Sequence, residues 1–182
     1  MLHRIAVSLL LAGLSVSTLA QAERFQLSSP DLPPGQPLAA EFVFKGFGCD
    51  GGNQSPALRW STPPAGTRSL AITVYDPDAP TGSGWWHWQV VNLPASTREL
   101  ARNASVSGLP AGAVQTRTDF GQPGYGGACP PPGHGPHRYQ FTVWALNTEQ
   151  LPLNGEASGA MTGYMLRQHA LGQASLTVKY AR

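Results

Sequence analysis

The 182-residue chain predicts a mainly β protein, an antiparallel sandwich or barrel with one late helix packed on a side or an end. Three observations carry this. Short runs rich in Val, Phe, Trp, Thr and Tyr follow one another, each bounded by Gly, Pro, Asn or Asp. The composition, 21 Gly and 17 Pro against 12% charged residues, describes turns rather than a helical bundle. One segment near the C-terminus has apolar residues at helical spacing.

The first element is not part of that fold. Met1 to Arg4 is positively charged, Ile5 to Leu14 is apolar, and Ala20-Gln21-Ala22 is a small-x-small pattern. This is the layout of a secretory signal peptide cleaved after Ala22. The apolar run is too short for a transmembrane anchor, which needs roughly 20 apolar residues. Residues 23–182 then form a single domain, exported to the periplasm or secreted.

Strands are predicted over Leu38–Lys45, Ala57–Trp60, Ser69–Tyr75, Trp86–Asn92, Val114–Thr118, Arg138–Leu146 and Ser175–Tyr180. Pro33-Pro34-Gly35 and Pro63-Pro64-Ala65-Gly66 read as turns. The helix is predicted over Ala157–Ala170, with Gly172 as its stop. Strand alternation places His87, Gln89 and Val91 on one face and Trp86, Trp88 and Val90 on the other. It also gives His137, Tyr139, Phe141 and Val143 a common face.

The formal charge is +2, and removing Arg4 with the leader leaves +1. Lys and Arg form no stripe, so nothing draws the protein to nucleic acid or to anionic lipid. Beyond the leader no segment is apolar enough for stable membrane insertion. Cys49 and Cys129 both sit in Gly-rich loops. An even count in an exported chain predicts one disulfide, closing a loop of about 80 residues and contributing about 2–4 kcal/mol. A metal or redox pair is disfavoured because no C-x-x-C spacing exists.

Two clusters carry the candidate chemistry. The first is Tyr75-Asp76-Pro77-Asp78-Ala79-Pro80 running into Trp85-Trp86-His87-Trp88. The second is Pro130-Pro131-Pro132-Gly133-His134-Gly135-Pro136-His137-Arg138-Tyr139. Prolines fix the backbone around both carboxylates. Taken singly, each Asp reads as a turn residue and each His as a packed one. Together they predict two walls of one small anion site. In this reading His87 and His137 meet the anion and Asp78 orients His87, raising its pKa. The Gly-rich loops at Gly126, Gly127 and Gly133 would offer backbone N–H donors, and a carboxyl would accept from a protonated phosphate oxygen. His134 reads as exposed and His169 as a surface residue of the helix. Metal binding by Asp76, Asp78, His87 and His137 lacks any tight ligand motif. Hydrolysis through Thr81 or Ser83 lacks a nucleophile elbow.

These motifs, in this order, resemble the phosphatidylethanolamine-binding protein family, in particular its bacterial Raf-kinase-inhibitor-like branch. The likeness runs from Phe25 to Tyr180 and includes Gly46-Phe47-Gly48-Cys49, Asn53-Gln54-Ser55-Pro56 and Thr116-Arg117-Thr118-Asp119-Phe120-Gly121. It implies a two-sheet antiparallel β-sandwich with one late helix and short helical turns. It also implies a cavity for phosphate, acetate or a phosphorylated head group, lined or supported by Asp76, Asp78, His87, Pro130, Pro131, His137 and Tyr139. No cofactor or metal is implied and no catalysis is expected. Two departures from animal members weigh against kinase regulation and phospholipid transfer. The chain ends two residues after its last strand, without the C-terminal helix that borders their site, and it has Gly82-Ser83-Gly84 where they carry a longer polar loop. The alternatives to a binding module are an inhibitor or interaction protein acting on a protease, kinase or host protein, and, less favoured, a hydrolase.

Overall fold

Residues 24–182 are described by a computed structural model. The signal peptide read over residues 1–22 lies outside the described residues. The elements in chain order are β1 (Leu27–Ser28), β2 (Lys45–Gly46), β3 (Cys49–Asp50), β4 (Leu58–Trp60), β5 (Ser69–Asp76), β6 (Trp85–Pro94), β7 (Glu99–Leu100), β8 (Val114–Gln115), β9 (His137–Leu146), α1 (Gly159–His169) and β10 (Ala170–Tyr180).

The long strands build a five-stranded sheet in the order β10-β9-β5-β6-β8. A three-stranded sheet, β1-β4-β7, covers one of its faces, and β2-β3 is a separate hairpin. All these strand pairs are antiparallel. The main core lies between the two larger sheets and holds Leu58, Leu70, Ile72, Val74, Trp88, Val90, Phe141 and Val143. A smaller core, with Ala71, Val91, Trp144, Leu146 and Leu166, lies between the five-stranded sheet and α1. Central β5 is therefore covered on both sides, which explains its nearly unbroken apolar run, Leu70-Ala71-Ile72-Thr73-Val74. On its helix side Thr73 accepts from the Trp144 indole at 3.0 Å, so the hydroxyl is not left bare.

The register of β6 departs from simple alternation. Val74 stands opposite Trp88 and Tyr75 opposite Trp86, so His87 is an extra residue in a bulge. The insertion reverses the face of everything before it. Trp86 turns to the helix side, against the Tyr75 ring at 4.5 Å and against Gly159 of α1. His87 turns to the main-core side, where its ring meets Tyr139 edge-on at 5.1 Å. The predicted grouping of His87 with Gln89 and Val91, opposite Trp86, Trp88 and Val90, is thus corrected. On β9 no bulge intervenes against β5, and Tyr139, Phe141 and Val143 share the core face as alternation predicts.

The predicted strand Leu38–Lys45 is also corrected. Ala40–Phe42 is a turn of 3-10 helix, and only Lys45 enters a strand. The segment Gly51 to Gln54 folds back on it and takes its carbonyls. Gly51, Gly52, Asn53 and Gln54 donate to Phe44, Ala40, Val43 and Glu41, each at 2.9 Å. A Cβ at Gly51 would lie 2.2 Å from the Val43 carbonyl oxygen, so this approach needs glycine. Apolar composition gave no warning, because local loop bonds replace the ladder that a strand would use. The short strands β1, β3 and β7 lie outside the predicted set, and β10 starts five residues earlier than predicted.

The helix forms near its predicted place. Ser158 caps it, accepting from the Met161 N–H at 3.2 Å. It ends at His169, and β10 follows at once with a bulge between Ala170 and Gly172, so Gly172 belongs to the strand rather than to a helix stop.

Candidate functional site

Alternation along β5 that buries Leu70, Ile72 and Val74 carries Asp76 onto the same face at the strand's end, where the residue is 2% exposed. Pro77 turns the chain there, and Asp78 N–H folds back onto Asp76 Oδ1 at 2.8 Å. Every peptide bond among the described residues is trans, including those before Pro77 and Pro80. The other Asp76 oxygen, Oδ2, pairs with His137 Nδ1 at 2.7 Å. His137 Nε2 lies 2.7 Å from His134 Nδ1. With both rings neutral, the arrangement that satisfies every atom has His134 Nδ1–H donating to His137 and His137 Nδ1–H donating to Asp76. A polarised chain then runs from exposed His134 to a buried carboxylate.

His87 is anchored elsewhere. Its Nδ1 donates to the Gly126 carbonyl at 2.8 Å, and its ring is wedged edge-on against Tyr139 and Phe120. Burial pushes the imidazole below its usual range, outweighing the upward pull of the Gly126 and Gly127 backbone and of the Asp76 and Asp119 carboxylates. The ring is neutral near pH 7, with its Nε2 lone pair unprotonated. Burial likewise pushes the Tyr139 phenol up, so it stays protonated.

Asp78 has a different role from the one predicted. Its carboxylate accepts from Arg138 N, Nε and Nη2 at 2.8, 2.9 and 2.6 Å. The side-chain bond from Arg138 holds its pKa down at about 2. Asp78 pins the Pro-rich turn to the start of β9 and does not orient His87. The predicted anion nest is also absent among the described residues. Gly126 N–H donates to the His87 carbonyl, Gly127 N–H to Asn53 Oδ1 and Gly133 N–H to the Arg182 carbonyl.

Asp76, His87, Pro130, Pro131 and His137 line one cavity of about 210 Å³. Asp78 and Tyr139 do not line it; they brace the turn and back the His87 ring. The two predicted clusters are therefore facing walls. Sequence reasoning counted Trp85 in one wall of the site but did not place Phe47 and Phe120 there, and all three line the cavity. Phe47 and Phe120 lie in segments already picked out by the resemblance, which was the available signal. Asp119 holds the Phe120 loop to β6 through reciprocal bonds with Trp86, its N–H to the Trp86 carbonyl at 3.1 Å and its Oδ2 from the Trp86 N–H at 2.8 Å. Phe47 is 69% exposed at the tip of the β2–β3 hairpin.

The walls are cross-braced. Cys49 and Cys129 form a disulfide that ties the hairpin to the second cluster. Arg182 donates to the Pro130, Gly48 and Phe47 carbonyls at 2.6, 2.9 and 3.2 Å, bridging the same two segments. Among the described residues no group of three His, Cys, Asp or Glu side chains converges as a metal cage would, and no helix is long and apolar enough to cross a membrane.

Comparison with known proteins agrees with this geometry. The family model for phosphatidylethanolamine-binding protein matches residues 28–181. YbcL of Escherichia coli K12 is 54% identical over 177 residues, covering 96% of each chain. Its crystal structure, described as a new member of the mammalian PEBP family, superposes with a TM-score of 0.85 over 87% of this chain and 98% of that one. The structure of CT736 from Chlamydia trachomatis, described as a putative homolog of the same family, gives a TM-score of 0.73 at 28% identity, covering 87% and 97%. The putative lipoprotein LppC of Mycobacterium tuberculosis H37Rv is 36% identical over 155 residues, 85% of this chain and 71% of that one. With its two-sheet fold, braced cavity and near full-length match, the chain belongs to the phosphatidylethanolamine-binding protein family.

Proposed function

We propose that the protein is an exported binding module that holds a small oxyacid or phosphorylated head group in the cavity between the two clusters. The observation that carries this is the cavity itself. Three buried polar side chains, Asp76, His87 and His137, are fixed by their own hydrogen bonds at the wall of a space sized for a small group. Proline, aromatic and disulfide walls keep that space from collapsing. The family's description, naming a phospholipid with a phosphorylated head group, points the same way.

Binding is favoured over hydrolysis because the hydroxyl on the wall, Thr81 Oγ1, donates to the Gly84 carbonyl and is not held by an imidazole. Export rests on the leader-like N-terminus, the disulfide and the relative named as a lipoprotein. N-terminal sequencing of a periplasmic fraction tests it: a chain beginning at Glu23 supports export, and intact Met1 in the cytosol overturns it.

The binding test is thermal unfolding with increasing phosphate monoester, beside His87→Gln. Ligand at about 100 times its Kd adds about 2.7 kcal/mol, or roughly 5–10 °C in Tm. A saturable rise that the variant lacks supports the reading; no rise in the wild type rejects it. A second reading, an interaction or inhibitor protein, has one observation behind it, the exposed Phe47 on the cavity rim. Capture of a periplasmic protein that depends on Phe47 would favour it.

A further inference from the structure

We propose that the cavity selects its ligand by a proton, taking the monoprotonated form of a phosphoryl or related oxyacid group. In that complex Trp85 Nε1–H donates to one ligand oxygen and His87 Nε2 accepts from the ligand's own O–H. The proposal rests on the head-group reading above and adds which ionisation state is bound.

The first ground is the state of the donors. A dianion site needs cations or free N–H groups, and the cavity offers few. The glycine N–H groups around it are engaged by His87, Asn53 and Arg182. The Arg138 guanidinium is turned to Asp78, and that of Arg182 to three backbone carbonyls. Neither arginine lines the cavity. The Phe47, Ala79 and Cys129 N–H groups have no hydrogen bond among the described residues and lie on lining residues. Trp85 Nε1 is the side-chain donor. It is buried without a partner, although the indole lines the cavity. An orphaned buried N–H is rare and costly, and an acceptor brought in by a ligand would satisfy it.

The second ground is the surplus of acceptors. His87 Nδ1 carries the proton given to Gly126, so Nε2 presents a lone pair. Nε2 has no hydrogen-bond partner among the described residues. The Asp76 carboxyl stands beside it. The titratable groups around His87 are Asp76 from β5, Asp119 from the loop after β8, and Tyr139 and His137 from β9; His137 shares the cavity wall but has its Nδ1 on Asp76 and its Nε2 on His134, so the charges that act on His87 are carboxylates. A fully ionised oxyanion would set its lone pairs against those of His87 and Asp76. A protonated oxygen supplies the missing donor, and the discrimination is built from that repulsion.

The probes are methyl phosphate and methyl sulfate. Below about pH 6 both carry a single negative charge, but only the phosphate has a proton to donate. Isothermal titration of the mature, disulfide-intact protein is expected to show methyl phosphate binding at least about tenfold tighter near pH 5, because a buried acceptor is left unpaired by methyl sulfate. Its affinity should then fall about tenfold per pH unit once the ligand's second proton leaves, near pH 6. Equal binding of the two probes overturns the proposal while leaving the head-group reading intact. So does methyl phosphate affinity that is flat or rising to about pH 8. If both probes weaken in parallel with pH, an imidazolium is attracting charge and the proposal fails. If neither binds at any pH, both readings fall.

Discussion

The five-stranded sheet carries a buried polar cluster on each face, and the two are built differently. On the helix side Gln89 Oε1 accepts from Thr116 at 3.1 Å, Thr116 accepts from Thr162 at 3.1 Å, and Gln89 Nε2 reaches the Gly159 carbonyl at 3.4 Å. All three side chains are fully buried, and the network closes on itself. On the opposite face Asp76, His87 and His137 are just as deeply buried, yet they border an open cavity. There Trp85 Nε1 has no partner and His87 Nε2 keeps a lone pair. A polar cluster that satisfies itself holds a fold together, whereas one that leaves a donor and an acceptor at a cavity wall is completed by something else.

The largest test of that contrast removes one anchor from each side. Asp76→Ala strands His137 and its link to His134 and should cost about 3–5 kcal/mol in urea unfolding, with ligand binding lost. Gln89→Leu leaves the Thr116 hydroxyl short of a partner and should cost about 1–3 kcal/mol with the cavity's ligand affinity unchanged. Loss of binding in the Gln89 variant would mean that the two faces are coupled and the distinction is false.

A smaller effect sharpens the comparison. Trp85→Phe keeps an aromatic ring and removes the orphaned N–H. Stability should stay level or rise by up to about 1 kcal/mol while methyl phosphate binds about tenfold more weakly. A clear loss of stability with full affinity would place Trp85 with the structural residues.

The smallest effect concerns the brace outside the cavity. Asp78 has its pKa depressed to about 2 through its bond with Arg138. A depressed carboxyl adds stability above its unfolded pKa, and that contribution is lost as pH falls through the folded value. Wild type should therefore exceed Asp78→Asn by up to about 1 kcal/mol near pH 7. The gap should close between about pH 4 and pH 2. A gap that persisted to the acid end would show that the carboxylate charge is not what Arg138 reads.

Much of this was legible in the chain. Pattern and punctuation located the long strands Ser69–Asp76 and His137–Leu146 and the helix, because each buries a periodic face and periodicity is written residue by residue. The same rule placed Tyr139, Phe141 and Val143 on one face. The two clusters announced themselves by piling rigid, aromatic and titratable residues into loops, and the two cysteines had only each other to pair with. What stayed hidden depended on neighbours distant in sequence. The bulge at His87 is a property of two strands in register, so β6 alone suggested the opposite face. Arg138 claimed Asp78, and Gly126, brought up from 39 residues away, claimed His87. Residue types determined that an Asp–His cavity would exist. Which carboxylate met which imidazole, and which atoms were left facing the cavity, was decided by tertiary packing, because hydrogen-bond partners are allotted only when separate segments of chain arrive at one place.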